Sequence, residues 1–301
     1  MRAFLTVFGR LLPPAFVLFL FADLMMNPDI PRLGVSGATG QTSGLTLDES
    51  RELLRLSRKL ISEGKHTEAL APALKLYSAY PGNNIYIQTL AQIYHRLENY
   101  KEEAEYWEKF LQYAPLPVEG CPQIGQAYWK QKRTKEAISA FERCLSFEPD
   151  NFDSIFFLAH ALELTGDLKR AETLYRQGIP LGTNSSDCKI GLARVQAHQG
   201  RVAESKKCIL EVLSKSPDDV DALLVRAILY WREGDLAQAK AFLLKGLKLS
   251  ERYADYYLVL GRIEESQGHI SQAVMRYDRV LELDPDNRDA ARRRRALTGR
   301  R

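Results

Sequence analysis

Counting back from Gly268 in steps of thirty-four residues lands on Gly234, Gly200 and Gly166, and further along on Gly64. The same stride joins Pro285 and Pro217 to Pro149, Pro115 and Pro81, and Ala273 to Ala239, Ala171, Ala137 and Ala69. Three residue types hold three offsets without insertion from Ser50 to Asn287. A period of this length means that one supersecondary unit is copied and stacked, each copy burying its apolar faces against its neighbours.

Residues 118–151 show the plan of one unit. Ile124, Gly125 and Tyr128 share one helical face, a polar turn comes next near Lys132, and Ala137, Phe141 and Cys144 share the face of a second helix. Gly125 and Ala137 let the two helices approach, Tyr128 and Phe141 fill the space beside them, and Pro149 ends the second helix. Along the array the first small position reads Ser57, Ala91, Gly125, Ala159, Ala193, Ala227 and Gly261. The large second-helix position reads Ala73, Trp107, Phe141, Tyr175, Ile209, Leu243 and Tyr277.

On these residues the chain resembles the tetratricopeptide repeat family, in seven units at 50–83, 84–117, 118–151, 152–185, 186–219, 220–253 and 254–287. The resemblance implies an all-α fold, a right-handed α-solenoid (superhelix) of helix–turn–helix repeats, whose first helices line a concave wall where family members usually bind. It specifies fold far more than function. Several positions depart from the pattern. Glu103 stands where a small residue is expected and Ala104 sits one place late, which predicts a local change of register in the second unit. Thr183 and Glu251 replace the closing Pro, and Gly182 is the alternative end of the fourth unit's second helix. Gln196 and Glu264 replace large side chains and imply looser packing, and Arg226 is expected to lay its stem on the core with its head in water.

The two ends are different material. Residues 288–301 hold seven Arg against one Asp, a net of +6, so the remainder of this +4 chain carries −2. The basic character belongs to a tail and is not a surface-wide nucleic-acid footprint. Ala290, Ala291 and Leu297 give this stretch a thin apolar stripe, as a capping helix needs, with Arg292 to Arg295 on its solvent side. No aromatic residue accompanies the arginines for base stacking, so nucleic acid is not an expected partner. At the other end, residues 11–26 read LLPPAFVLFLFADLMM after Arg2 and Arg10. A positive start before an apolar core is the grammar of an export signal or signal-anchor spanning 1–26. The run is shorter than the roughly 20 residues of a comfortable span, and no Cys stands just behind it for lipid attachment. The charge bias places the repeats outside the cytoplasm. Residues 27–49, with GVSGATGQTSG at their centre, read as a flexible linker.

No Gly-rich phosphate loop, GxSxG or HExxH occurs, so no catalytic residues, cofactor or small-molecule substrate are expected. His66, His95, His160, His198 and His269 are scattered over different units without ligand spacing, and no metal site is expected. Cys121 and Cys144 sit on the two antiparallel helices of one unit and form a candidate disulfide if the chain is exported. Cys188 and Cys208 are staggered, and no CxxC pair occurs. Asn184-Ser185-Ser186 is a lone glycosylation sequon.

Periodicity places Arg58, Gln92, Arg96, Gln126, Trp129, Lys130, Phe156, His160, Arg194, Trp231, Arg232 and Arg262 on the concave wall. Aromatics interleaved with Arg suit an acidic or amphipathic segment of a protein partner. The Lys–Asn pattern of members that hold chaperone C-termini is missing. The expected function is a non-enzymatic interaction scaffold, membrane-tethered and extracytoplasmic. The alternative is an intracellular accessory subunit of an enzyme complex.

Overall fold

A computed structural model describes residues 44–113, 120–181 and 185–299. Among them are fifteen α-helices and no strand. The first three hairpins are α1 (Leu47–Ser62) with α2 (His66–Ala79), α3 (Asn84–Arg96) with α4 (Tyr100–Tyr113), and α5 (Cys121–Lys130) with α6 (Thr134–Phe147). Next come α7 (Phe152–Thr165) with α8 (Leu168–Gly178), and α9 (Ser185–His198) with α10 (Val202–Lys215). The last two are α11 (Val220–Arg232) with α12 (Leu236–Leu249), and α13 (Ala254–Ser266) with α14 (Ile270–Leu283), and a single α15 (Arg288–Thr298) closes the series. Every second helix starts thirty-four residues after the previous one, from His66 to Ile270.

The turn within each hairpin explains the glycine stride. Gly64, Gly166, Gly200, Gly234 and Gly268 have φ between 75° and 90°, and Glu98 (56°) and Lys132 (61°) occupy the same offset in the second and third units. A left-handed residue is thus required in all seven turns, and side-chain-bearing residues fill two of them at about 1–2 kcal/mol each. Second helices end two residues before Pro81, Pro149, Pro217 and Pro285, because proline's ring and missing N–H cannot continue the hydrogen-bond ladder. Side chains cap several of the N-termini. Asn151 accepts from the Ser154 N–H at 2.9 Å and Asp219 from the Ala222 N–H at 2.9 Å.

Contacts run between consecutive helices and, in addition, between the first helices α1 and α3 and between each successive pair from α5 to α13. First helices therefore form the inner wall and second helices the outer. The large second-helix residues Phe141, Tyr175, Ile209, Leu243 and Tyr277 are all 0% exposed. They meet the small positions directly: a Cβ on Gly125 would stand 2.3 Å from the Phe141 ring, and one on Gly261 2.7 Å from Tyr277. On α15, Ala290 is buried against Ala273, Tyr277 and Val280, while Leu297 packs at its edge. Lys132 reaches Asp286, 154 residues away in sequence, so the third turn meets the end of the seventh unit.

The structure corrects several expectations. Glu103 causes no change of register: α4 starts on the common stride, and the carboxylate is buried against His95 Nδ1 at 3.0 and 3.1 Å. Gln196 and Glu264 do not loosen their units but are buried themselves. Arg226 turns its guanidinium back over the Tyr230 ring at 4.4 Å and donates to the Tyr230 hydroxyl at 2.9 Å, so its head is not left in water. The expected linker to residue 49 is too long by three, because α1 begins at Leu47 behind a Thr46–Glu49 capping box. The 1–26 signal or anchor, most of the linker, Gly182, Thr183 and Asn184 lie outside the described residues, as does the tail beyond 299. Among the described residues no helix is long and apolar enough to cross a membrane.

Candidate functional site

The inner faces of α5, α7, α9, α11 and α13 enclose a groove of about 740 Å³, within the 300–1,000 Å³ range of ligand clefts. Of the residues assigned from periodicity it gathers Gln126, Trp129, Lys130, Phe156, His160 and Arg194. One wall is aromatic. The His160 ring lies 5.5 Å from Trp129 and 6.3 Å from Phe156, and Phe156 meets Phe157 edge-on at 5.4 Å. Burial, with Arg194 adding to it, lowers the His160 pKa below the ordinary value, so its imidazole is neutral at pH 7.

Gln92 and Arg96 line a second recess of about 660 Å³ over α3 and α5, which shares Gln126 with the first. Buried Glu103 and Trp107 form its floor. Desolvation raises the Glu103 carboxyl, with His95 opposing. Arg58 is exposed on α1, away from both recesses.

The remaining assigned residues do other work. Trp231 packs against the hydrophobic cluster built on Leu243, Leu247 and Tyr256. Arg232 donates to the Ala197 carbonyl at the end of α9. Arg262 pairs with Asp289 on α15 at 2.7 Å.

Arg194 lies in the groove, but its guanidinium grips buried Glu163 with two bonds of 2.9 Å, and Tyr175 donates to the same carboxylate at 2.9 Å. A bidentate pair of this kind is among the strongest hydrogen-bonded arrangements available to Arg. The arginines expected to face an acidic segment are therefore largely consumed inside the stack. Among the described residues lining the groove, Lys130 is the cation without a carboxylate partner.

What the sequence reading missed is acidic. Asp187, Asp221 and Asp255 line the groove, each in the first turn of its helix and each thirty-four residues from the next. The stride that located the turn glycines would have found them, and it extends to Asp153 and Asp289. The groove opens onto Asp187 and Asp255, and both are exposed to it. Desolvation raises both carboxyls, joined by repulsion from Asp219 and Asp221 at Asp187, and at Asp255 by repulsion from Asp221 against the pull of Arg194. Asp221 accepts from the Tyr253 hydroxyl. Glu163, Leu164, Ile190, His198, Leu224, Val225 and Ile228 complete the lining.

Among the described residues no group of three or more His, Cys, Asp or Glu side chains is placed to hold a metal ion. The candidate disulfide residues Cys121 and Cys144 are free thiols, both buried. They lie close enough to hydrogen bond, and that bond together with burial pushes the Cys121 thiol well above its ordinary value.

Helical hairpins stacked in one dimension, with first helices lining a groove, define an α-solenoid of the repeat-scaffold class. Family models described as tetratricopeptide repeat match residues 128–188, 190–256 and 254–287. The chain belongs to the tetratricopeptide repeat family. It is 21% identical over 213 residues to human protein O-mannosyl-transferase TMTC1, covering 68% of this chain and 24% of that protein. It is 20% identical over 263 residues to the Arabidopsis thaliana CTR9 homolog, covering 82% of this chain and 24% of that protein. The chain thus spans about a quarter of the length of these relatives. A tetratricopeptide repeat protein from Parabacteroides merdae superposes with a TM-score of 0.75 at 18% identity, over 83% of this chain and 99% of its own. At such identity the likeness concerns the fold alone.

Proposed function

We propose that this chain is a non-enzymatic scaffold that holds a segment of a protein partner in the groove over α5 to α13. The observation that carries this reading is the groove itself, lined by five first helices, with an aromatic cluster and carboxylates among its lining residues. Such a surface fits an amphipathic segment, its apolar side against Trp129 and Phe156 and its polar side against the first-turn carboxylates. The apolar run at residues 11–26 tethers the array to a membrane, with the repeats on the extracytoplasmic side. The charge bias around that run supports this placement.

The test introduces a photo-crosslinking residue into the full chain in its native cells, at Trp129 in the groove or at Lys207 on the outer helix α10. The partner is expected to crosslink from position 129 and not from 207. Crosslinking from 207 alone would move binding to the convex face. Fusing residues 1–46 to a reporter active only after export tests the localisation, and a silent reporter would reject it.

A further inference from the structure

We propose that the segment held in the groove is basic, with its Lys or Arg side chains meeting Asp187, Asp221 and Asp255 while its apolar residues cover Trp129 and Phe156. This inference rests on the groove reading above and adds the chemistry of the partner. Charge complementarity carries it. The groove residues include two cations, Lys130 and Arg194, against four carboxylates, Glu163, Asp187, Asp221 and Asp255. Arg194 and Glu163 cancel each other in their bidentate pair. Three aspartates and one lysine then remain in the lining. Among the described residues, no cation stands within ion-pair distance of Asp187 or Asp255. Two of the three carboxyls already sit above their ordinary value through desolvation, and an incoming ammonium or guanidinium would relieve that.

The bland account is that each Asp sits in a helix first turn, where it offsets the positive end of the helix dipole. That account explains an acidic residue at this offset. It does not explain why three such carboxylates, none in an ion pair, converge on one groove. Asp289, at the same offset on α15, is held by Arg262, Arg292 and Arg293, and Asp221 by only a tyrosine hydroxyl. The groove itself lies where such cations would reach, beside aromatic rings whose faces also attract cations.

Geometry sets the spacing of the ligand. Successive first helices pack side by side, and packed helices lie about 8–10 Å apart. A polyproline II segment advances about 3.1 Å per residue with three residues per turn, so cations at every third position share one face and keep step with the aspartates.

The experiment measures fluorescence anisotropy of two labelled peptides with the full chain in mild detergent. One peptide carries Lys at every third position among Leu and Phe, and the other carries Glu at those positions. The Lys peptide is expected to bind, to weaken as salt rises, and to lose roughly tenfold in affinity with Asp187→Asn/Asp221→Asn/Asp255→Asn, as three solvent-facing pairs of ordinary strength compound. Helicity of the triple variant is checked by circular dichroism. If it is lost, the same comparison is made from the ligand side with each Lys replaced by Gln. An unchanged affinity on neutralising either side overturns the proposal, as does absence of binding. The crosslinker at position 129 separates the two readings. Capture of the Glu peptide there would overturn the basic partner and leave the groove intact. Capture of the Lys peptide only from position 207 would remove the groove itself.

Discussion

Gly125→Ala sets two effects of known size against each other. Gly125 lies inside α5, where exchanging Gly for Ala favours the helix by about 0.8–1.0 kcal/mol. The new Cβ would stand 2.3, 2.5 and 2.6 Å from Cε1, Cδ1 and Cζ of Phe141. These are atoms of a ring, not the tip of a flexible chain. Phe141 is 0% exposed and stacks on Phe157 with centroids 5.8 Å apart, so it cannot swing aside. Overpacking of this kind costs about 1–3 kcal/mol, and the blocked retreat puts the site in the upper half of that range. Packing outweighs propensity, and the expected net destabilisation is about 1–2 kcal/mol. Phe141→Leu in the same chain should recover part of it, with a coupling of at least about 0.5 kcal/mol. Gly166→Ala is the control. Its φ is 90° and nothing lies within 4 Å of the added methyl. It should lose about 1–2 kcal/mol through backbone strain alone, with no rescue by Phe141→Leu. Urea unfolding followed by circular dichroism gives all four values. A Gly125→Ala chain that unfolds at higher urea than the parent would refute the close approach of α5 and α6.

Three further outcomes concern the buried and paired groups. Arg194→Met leaves Glu163 buried without its partner and should destabilise by about 3 kcal/mol, whereas Glu163→Leu/Arg194→Met should stand near the parent; equal losses in the single and double variants would mean the pair carries no such weight. Hydrogen bonds from Arg201, then Arg176, hold the Glu172 carboxyl at about 2, and Arg262 and Arg292 hold Asp289 at about 2 against the opposing effect of burial. Both pKa values are depressed on folding, so their stabilisation is present above the ordinary carboxylate range and is lost as pH falls from about 4 through 2; Asp289→Asn should flatten that part of the stability–pH curve, and an unchanged curve would refute the assignment. If the chain matures in an oxidising compartment, we propose that Cys121 and Cys144 join, adding about 3 kcal/mol in the chain-entropy model; denatured protein isolated without reductant should then give two thiols, and four would reject the bridge.

Much of the fold was legible because repeats print their turns into the sequence. The stride fixed where each hairpin turns, even at Glu98 and Lys132, where the residue type gives no hint of a left-handed backbone. Glu103 misled because a residue-by-residue comparison cannot see His95, eight positions back, waiting to pair with it. The groove was legible in part. Trp129, Phe156 and His160 were found because their spacing places them on the inward faces of two first helices, α5 and α7. The fate of the arginines was not legible, because it depends on residues 31 positions away for Arg194 and 27 for Arg262. The aspartates were overlooked because an acid in a helix first turn already has a local explanation.

The arrangement of charge stems from the one-dimensional architecture. Apart from the Lys132–Asp286 pair, units meet chiefly their neighbours, so a charge near the seam finds its partner about one repeat away. Arg143 does so with Glu108, Arg170 with Glu142, Arg194 with Glu163, Arg201 with Glu172 and Arg293 with Glu265. Cations are thus the cement between successive units, and replacing them tests stability before it tests binding. A charge-reversal of Arg194 and Arg232, the obvious probe of a basic groove, would set a carboxylate beside Glu163 and release the Ala197 carbonyl. Lost binding in that variant would be indistinguishable from a broken seam. Asp187 and Asp255 carry no such seam contact, so they can be changed with less disturbance to the stack. Where carboxylates in a groove take no part in the pairs that join successive units, binding can be altered separately from the fold.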